Sequence, residues 1–188
     1  MTSPLGRRLV LLASVALVWP AAAQQLVKPD SEIGFTSRQM GVPVDGRFRQ
    51  FDAQVRFDPK NPDAARVAIT VDLASVAMGA AEVEAEVVKP AWFDTARFPR
   101  ATFESTAVRA IGADRWEVAG RLAIKGAQRD VVVPVALARA GERATASGSF
   151  TIRRLDFRIG DGEWSDVSLV ANDVQVRFKL ALTGVALP

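Results

Sequence analysis

The sequence predicts an all-β protein of eight antiparallel strands with one short helical segment. Three observations carry that reading. Apolar residues recur with a period of two along most of the chain, turn-forming residues separate the runs, and one Ala/Glu-rich stretch breaks the pattern. The alternation is clearest at the end of the chain. There Val174, Val176, Phe178, Leu180 and Leu182 alternate with Gln175, Arg177, Lys179, Ala181 and Thr183. Successive side chains of a strand point to opposite faces, so this pattern gathers the large apolar groups on one side.

Taken in order, strands are expected near Ser31–Ser37, Val44–Phe57, Arg66–Val76, Ala101–Ala110, Arg115–Ile124, Asp130–Ala138, Ala144–Arg154 and Asp173–Val185. The turns between them, such as Asp58-Pro59-Lys60-Asn61-Pro62-Asp63, Gly112-Ala113-Asp114, Lys125-Gly126 and Gly141-Glu142, use the residues that tight reversals require. The second strand is long, and its apolar parity shifts between Phe48 and Phe51, which predicts a bulge near Arg49-Gln50. Ala81–Lys89 reads as a helix ending before Pro90, because Ala and Glu favour helix and as a strand would bury little. Strands with one apolar face must cover it, either by closing into a barrel or by packing as a sandwich, and a closed eight-stranded barrel can hold one small ligand.

Residues 1–23 carry Arg7 and Arg8, an apolar run from Leu9 to Val18, and Ala21-Ala22-Ala23. This is the plan of a secretory signal peptide, and the run is too short for a stable membrane span. Residues 24–188 then form one domain, without a low-complexity linker or repeat. No Cys is present, so the core holds without disulfides. The pI near 9.8 overstates the charge. Of 24 Lys and Arg, Arg7 and Arg8 leave with the leader, and the rest stand against 21 Asp and Glu. No anionic polymer is implied, so nucleic acid is not an expected partner.

Absence of both His and Cys removes the usual transition-metal ligands and the Ser-His-Asp and Cys-His nucleophile systems. No metal, cofactor or catalytic residue is assigned. Asp94, Glu104, Asp156, Asp161, Glu163 and Asp166 are read as turn or surface carboxylates, and the Asp161-Gly162-Glu163 run lacks the order of a calcium loop.

An interior of Val, Ile, Leu, Phe and Ala suits an apolar guest. The expected tunnel lining is Ile33, Phe35, Phe57, Ile69, Val71, Phe103, Trp116, Val118, Leu122, Ile124, Phe150, Ile152, Val176 and Phe178. Met40, Met78, Trp92, Phe93, Phe98, Phe157 and Trp164 fall outside the regular strands, where adaptable thioethers and aromatics suit a mouth. Arg38, Lys89 and Arg154 lie near those segments and are candidate head-group contacts, since Arg holds phosphate or carboxylate in forked geometry; a structural pair of Arg154 with Asp156 is the competing reading.

Several segments, in order, resemble the YceI-like family of bacterial periplasmic lipid-binding, or polyisoprenoid-binding, proteins. They are Ser31-Glu32-Ile33-Gly34-Phe35, Met40-Gly41 with Gly46-Arg47-Phe48, Trp92-Phe93-Asp94 with Phe98-Pro99-Arg100-Ala101-Thr102-Phe103, Gly120 to Gly126, and Arg154 to Gly160. The resemblance implies a lipocalin-like eight-stranded antiparallel β-barrel with a short helical segment near the opening, a long apolar tunnel for an isoprenoid or fatty-acyl chain, and a periplasmic location. Gln39 departs from the pattern, because many relatives carry His before the Met-Gly pair.

Together these readings lead to a non-enzymatic periplasmic carrier or store of an isoprenoid, quinone-like or fatty-acyl lipid, with a homodimer compatible with the chain. Two alternatives stay open. One is a lipid hydrolase or isomerase using carboxylates such as Asp94 and Glu104, and the other is a filled barrel that acts as an interaction protein.

Overall fold

The computed structural model describes residues 24–185. The expected signal peptide lies outside them. The strands are β1 (Gln25–Leu26), β2 (Glu32–Gln39), β3 (Val42–Phe48), β4 (Phe51–Arg56), β5 (Arg66–Asp72), β6 (Val76–Ala77), β7 (Arg100–Gly112), β8 (Arg115–Ile124), β9 (Ala127–Ala140), β10 (Arg143–Arg153) and β11 (Asp173–Thr183), with one α-helix, α1 (Ala81–Val87). The helix matches its expected place and stops short of Pro90, which cannot donate to a continuing turn.

All pairings are antiparallel, in the order β4-β5-β7-β8-β9-β10-β11-β2-β3-β6. The path returns on itself. Its ends, β4 and β6, continue along the chain from β3 and β5, so the sheet curls into a barrel. Where β4 diverges from β11, β1 fills the gap: Leu26 pairs with Leu182, and Gln24 bridges to Val55. The Gln24 amide also donates to the Phe57 carbonyl at 2.6 Å and accepts from the Phe57 N–H at 2.9 Å.

Eleven strands replace the eight expected, without a change of architecture. The long second strand divides at Arg49-Gln50, where the parity shift marks not a simple bulge but the point at which the chain leaves β2 and joins β5. The third divides at a 3-10 turn over Leu73–Ser75, begun by the Asp72 carboxylate accepting from the Ala74 N–H at 2.9 Å. Ser75 staples the two breaks together. Its carbonyl accepts from the Arg49 N–H at 3.0 Å, and its hydroxyl accepts from the Gln50 N–H at 2.9 Å. The eleventh strand is the short β1.

Inside the barrel, phenyl rings lie across glycines on neighbouring strands. A Cβ at Gly46 would sit 2.2 Å from the Phe35 ring, and one at Gly148 would sit 2.1 Å from the Pro134 carbonyl and 2.8 Å from the Phe178 ring. Phe35 is directly opposite Gly46, and Phe178 opposite Gly148. Glycine lets each ring fold flat against the wall. This keeps the centre of the barrel open.

Candidate functional site: a two-chambered apolar tunnel

The inward residues of the strands enclose two chambers. The inner one, about 170 Å³, is walled by residues of β2, β4, β5 and β7–β11, and by Phe57 and Val185 beside them. Apart from Thr102 and the Trp116 indole, its lining side chains are all hydrocarbon. Trp116 is buried, its N–H has no hydrogen-bond partner among the described residues, and its ring meets Phe57 edge-on at 4.8 Å. The outer chamber, about 570 Å³, falls within the ~300–1,000 Å³ typical of small-molecule sites. Both chambers share Ile33, Val71, Ala101, Leu122, Phe150 and Val176, which form the waist where the two abut.

Every residue expected in the tunnel lines one chamber or the other. Phe57, Ile69, Phe103, Trp116, Val118 and Phe178 stand in the inner chamber, and Phe35, Ile124 and Ile152 in the outer. Ile33, Val71, Leu122, Phe150 and Val176 stand between them.

The outer chamber is covered by α1 and by the loop between β10 and β11. Val83 and Val87 face it at helical spacing, with Glu82 and Glu86 on the same stripe. The helix is capped by Ala80, which offers no side-chain acceptor. Glu84 instead reaches back to the N–H groups of Met78 at 2.9 Å and Gly79 at 3.3 Å. The Met78 N–H, reinforced by the Arg49 charge and the Gly79 N–H, holds the Glu84 carboxyl below its ordinary range.

The β10–β11 loop is organised around Arg154, which is only 1% exposed. Its Nε donates to the Ala171 carbonyl at 3.1 Å. One terminal nitrogen donates to Ile159 at 2.8 Å and Gly160 at 2.9 Å, and the other to Trp164 at 2.7 Å and Val170 at 2.8 Å. A guanidinium has five N–H donors, and all are used. Burial pulls the Arg154 pKa down, and the Asp161 charge opposes that. Lys125, buried in the β8–β9 turn, does similar work, donating to the Arg158 carbonyl at 2.5 Å and meeting Asp161 at 3.3 Å. The returning limb of the loop is sewn to the β2–β3 hairpin, with the Ala171 N–H on the Arg38 carbonyl at 2.9 Å and the Met40 N–H on the Leu169 carbonyl at 2.8 Å.

The mouth differs from the sequence expectation in several places. Met78, Trp92, Phe93 and Trp164 do line the outer chamber, and the two indoles pack at 5.4 Å. Met40, Phe98 and Phe157 do not. Met40 projects into solvent from the hairpin tip, Phe98 covers Gly126 beneath the Arg97 guanidinium at 5.2 Å, and Phe157 is buried core below Arg129. None of the three proposed cations has a free donor set aimed into the cavity. Arg38 donates to the Gly41 carbonyl at 3.2 Å, Lys89 pairs with Glu86 at 2.5 Å on the surface, and Arg154 touches the chamber with its donors committed to carbonyls. It is Arg153, not Arg154, that pairs with Asp156, at 3.1 Å.

The polar groups facing the cavity that sequence reasoning did not nominate as head-group contacts are Ser37, Gln39, Glu82 and Glu86. The i, i+4 spacing of Val83 with Val87 and of Glu82 with Glu86 could have revealed the helical stripe. Asp94 and Glu104 line neither chamber. Asp94 is buried in the connection before β7, and Glu104 is exposed on the outside of β7.

A model of the YceI-like domain matches residues 25–182. The chain is 30% identical over 160 residues to protein YceI of Salmonella arizonae, covering 79% of this chain and 83% of that one. It is 32% identical to a UPF0312 protein of Azotobacter vinelandii, a match that spans 62% of that relative's length. Among solved structures, Burkholderia cenocepacia BcnA superposes with a TM-score of 0.81 at 38% identity, covering 84% of this chain and 99% of BcnA. A polyisoprenoid-binding domain from Saccharophagus degradans, implicated in plant cell wall breakdown, shares the fold with a TM-score of 0.69 at 20% identity, over 86% of this chain and 98% of that domain. The curled antiparallel sheet, the helix α1 over the outer chamber and the order of the motifs agree with these matches, and the chain belongs to the YceI-like family.

Proposed function

We propose that the protein binds one long apolar lipid with its tail in the inner chamber and its head in the outer one, and acts as a periplasmic carrier or store. The observation that carries this reading is the pair of abutting chambers, which share six wall residues and of which the inner offers a guest almost nothing but hydrocarbon. Burial of apolar surface contributes ~25 cal/mol per Å², and the ordering of a flexible chain offsets part of it. A polyisoprenoid, quinone-like or fatty-acyl tail has the right chemistry for such a wall. The polyisoprenoid-binding domain of Saccharophagus degradans, which shares the fold, supports that class. The leader-like residues 1–23 and the family membership support export to the periplasm.

The head group in this proposal is uncharged. Arg154 is committed to backbone carbonyls and Lys89 already neutralises Glu86, while Ser37, Gln39 and Glu82 offer a head group hydrogen-bonding atoms, and the Glu82 carboxylate disfavours a phosphate. Native mass spectrometry of protein recovered from its own periplasm, followed by organic extraction, tests the proposal. One bound lipid with an uncharged head is the expected result. A chain that leaves the cell empty and takes up no added polyprenyl alcohol or fatty amide would overturn it.

A further inference from the structure

We propose that the rim of the tunnel mouth is a docking surface for a lipid bilayer, against which the outer chamber opens to exchange its cargo. The cargo part rests on the lipid-binding reading above, and the docking part is tested separately. Among the described residues the strongly exposed large apolar side chains are Met40, Val42, Val83, Ile111, Val132, Val167 and Leu169. All but Ile111 and Val132 lie on α1, the β2–β3 hairpin or the β10–β11 loop, the segments around the mouth. Val83 lines the outer chamber while remaining 41% exposed, and Val42 pairs with Gln39, which lines the same chamber and bridges Val170. Met40 and Leu169 are joined through the backbone bond already described, and Val167 lies two residues before Leu169. Val83 and the exposed residues of the hairpin and loop thus sit on the segments whose neighbours close the outer chamber.

Met40 adds a second observation. It occupies the first central position of a two-residue hairpin turn, with φ of 48° at Met40 and 80° at Gly41. Asn, Asp or Gly suits that position best, because the left-handed backbone disfavours larger side chains. Met40 is nevertheless 70% exposed, so it gains little packing in return. Nothing among the described residues packs on an apolar side chain there to favour it. A hydrocarbon phase outside the chain accounts for it, and the adaptable thioether suits a fluid one. Trp164, half-buried at the same mouth, is of the type that settles at membrane interfaces. The charges on the segments around the rim are of both signs, Arg38 on the hairpin, Glu82 on the helix and Asp166 on the loop, so apolar contact and not a field of one sign selects the partner.

Sedimentation with phosphatidylcholine vesicles tests the proposal, alongside titration of the same samples with the apolar fluorophore N-phenyl-1-naphthylamine, which reports the tunnel. Met40→Ser combined with Leu169→Ser should weaken vesicle binding at least about tenfold and leave fluorophore binding unchanged. Ile111→Ser combined with Val132→Ser should change neither. Wild-type protein that fails to sediment, rim variants that sediment like wild type, or a control pair that loses as much as the rim pair would each overturn it. A wild-type chain that sediments but takes no fluorophore would break the lipid-binding reading and leave the docking surface standing.

Discussion

The two ends of the tunnel are built on different principles. The inner chamber is made by regular strands whose alternate residues point inward, so packing between neighbouring strands defines it. The mouth is made by a short helix and an irregular loop with few ladder bonds of their own. Their buried carbonyls are satisfied by Arg154 and Lys125, two cations deep under the surface. Hydrocarbon packing tolerates small changes by relaxing, whereas a buried acceptor left without a donor carries its full desolvation penalty. The inner end should therefore degrade gradually under mutation, and the mouth abruptly.

The largest effect should come from Arg154→Met. It leaves five carbonyls short of a donor at once, and the expected loss is about 4 kcal/mol or more, with the cap melting first. Denaturant unfolding combined with amide exchange across residues 154–172 checks both parts. A variant as stable as wild type would remove the contrast between the two ends.

Gly148→Ala should follow, with about 1–3 kcal/mol lost, because its Cβ would stand 2.1 Å from a backbone carbonyl that cannot swing away. In Gly46→Ala the three atoms nearest the added Cβ all belong to the Phe35 ring, the first at 2.2 Å, and a ring can move. It moves into the outer chamber, so this variant should keep most of its stability and bind lipid roughly tenfold more weakly. Thermal unfolding and ligand titration of both variants separate a backbone clash from a narrowed bore.

The smallest effect is pH-dependent. The folded-state pKa of Glu84 lies below its ordinary value of 4.5, so its charged form is favoured by folding. Its contribution is present above pH 4.5 and is lost as the pH falls through the lowered folded value. Amide exchange of α1 should accelerate in that acid range for wild type. In Glu84→Gln it should be faster at neutral pH and lack that carboxylate's share of the acid response.

The same contrast explains which parts were legible in the sequence. A strand announces its inward face by a period of two, so Val118, Leu122 and Ile124 could be placed inside the barrel before any coordinates, as could the parity break at Arg49-Gln50. Its meaning as a change of partner strand required the pairing. The cap has no period. Arg154 looks like any surface arginine in one dimension, and its acceptors lie 5 to 17 residues downstream in irregular chain. Phe98 and Phe157 share composition with Trp92 and Phe93, yet the first pair packs away from the cavity and the second pair lines it. Only the path of the loop distinguishes them.

The central claim is that a lipid tail crosses the waist and reaches the inner chamber. Trp116 stands there, and Trp92→Phe with Trp164→Phe leaves it as the sole indole of residues 24–188. Fluorescence of that variant should be measured with long-chain alcohols brominated at the far end of the tail or next to the head, with stoichiometry fixed by native mass spectrometry. The account predicts strong quenching by the tail-labelled lipid and weak quenching by the head-labelled one. A lipid bound one to one that leaves Trp116 equally bright with either label, or that quenches from the head end, would contradict it.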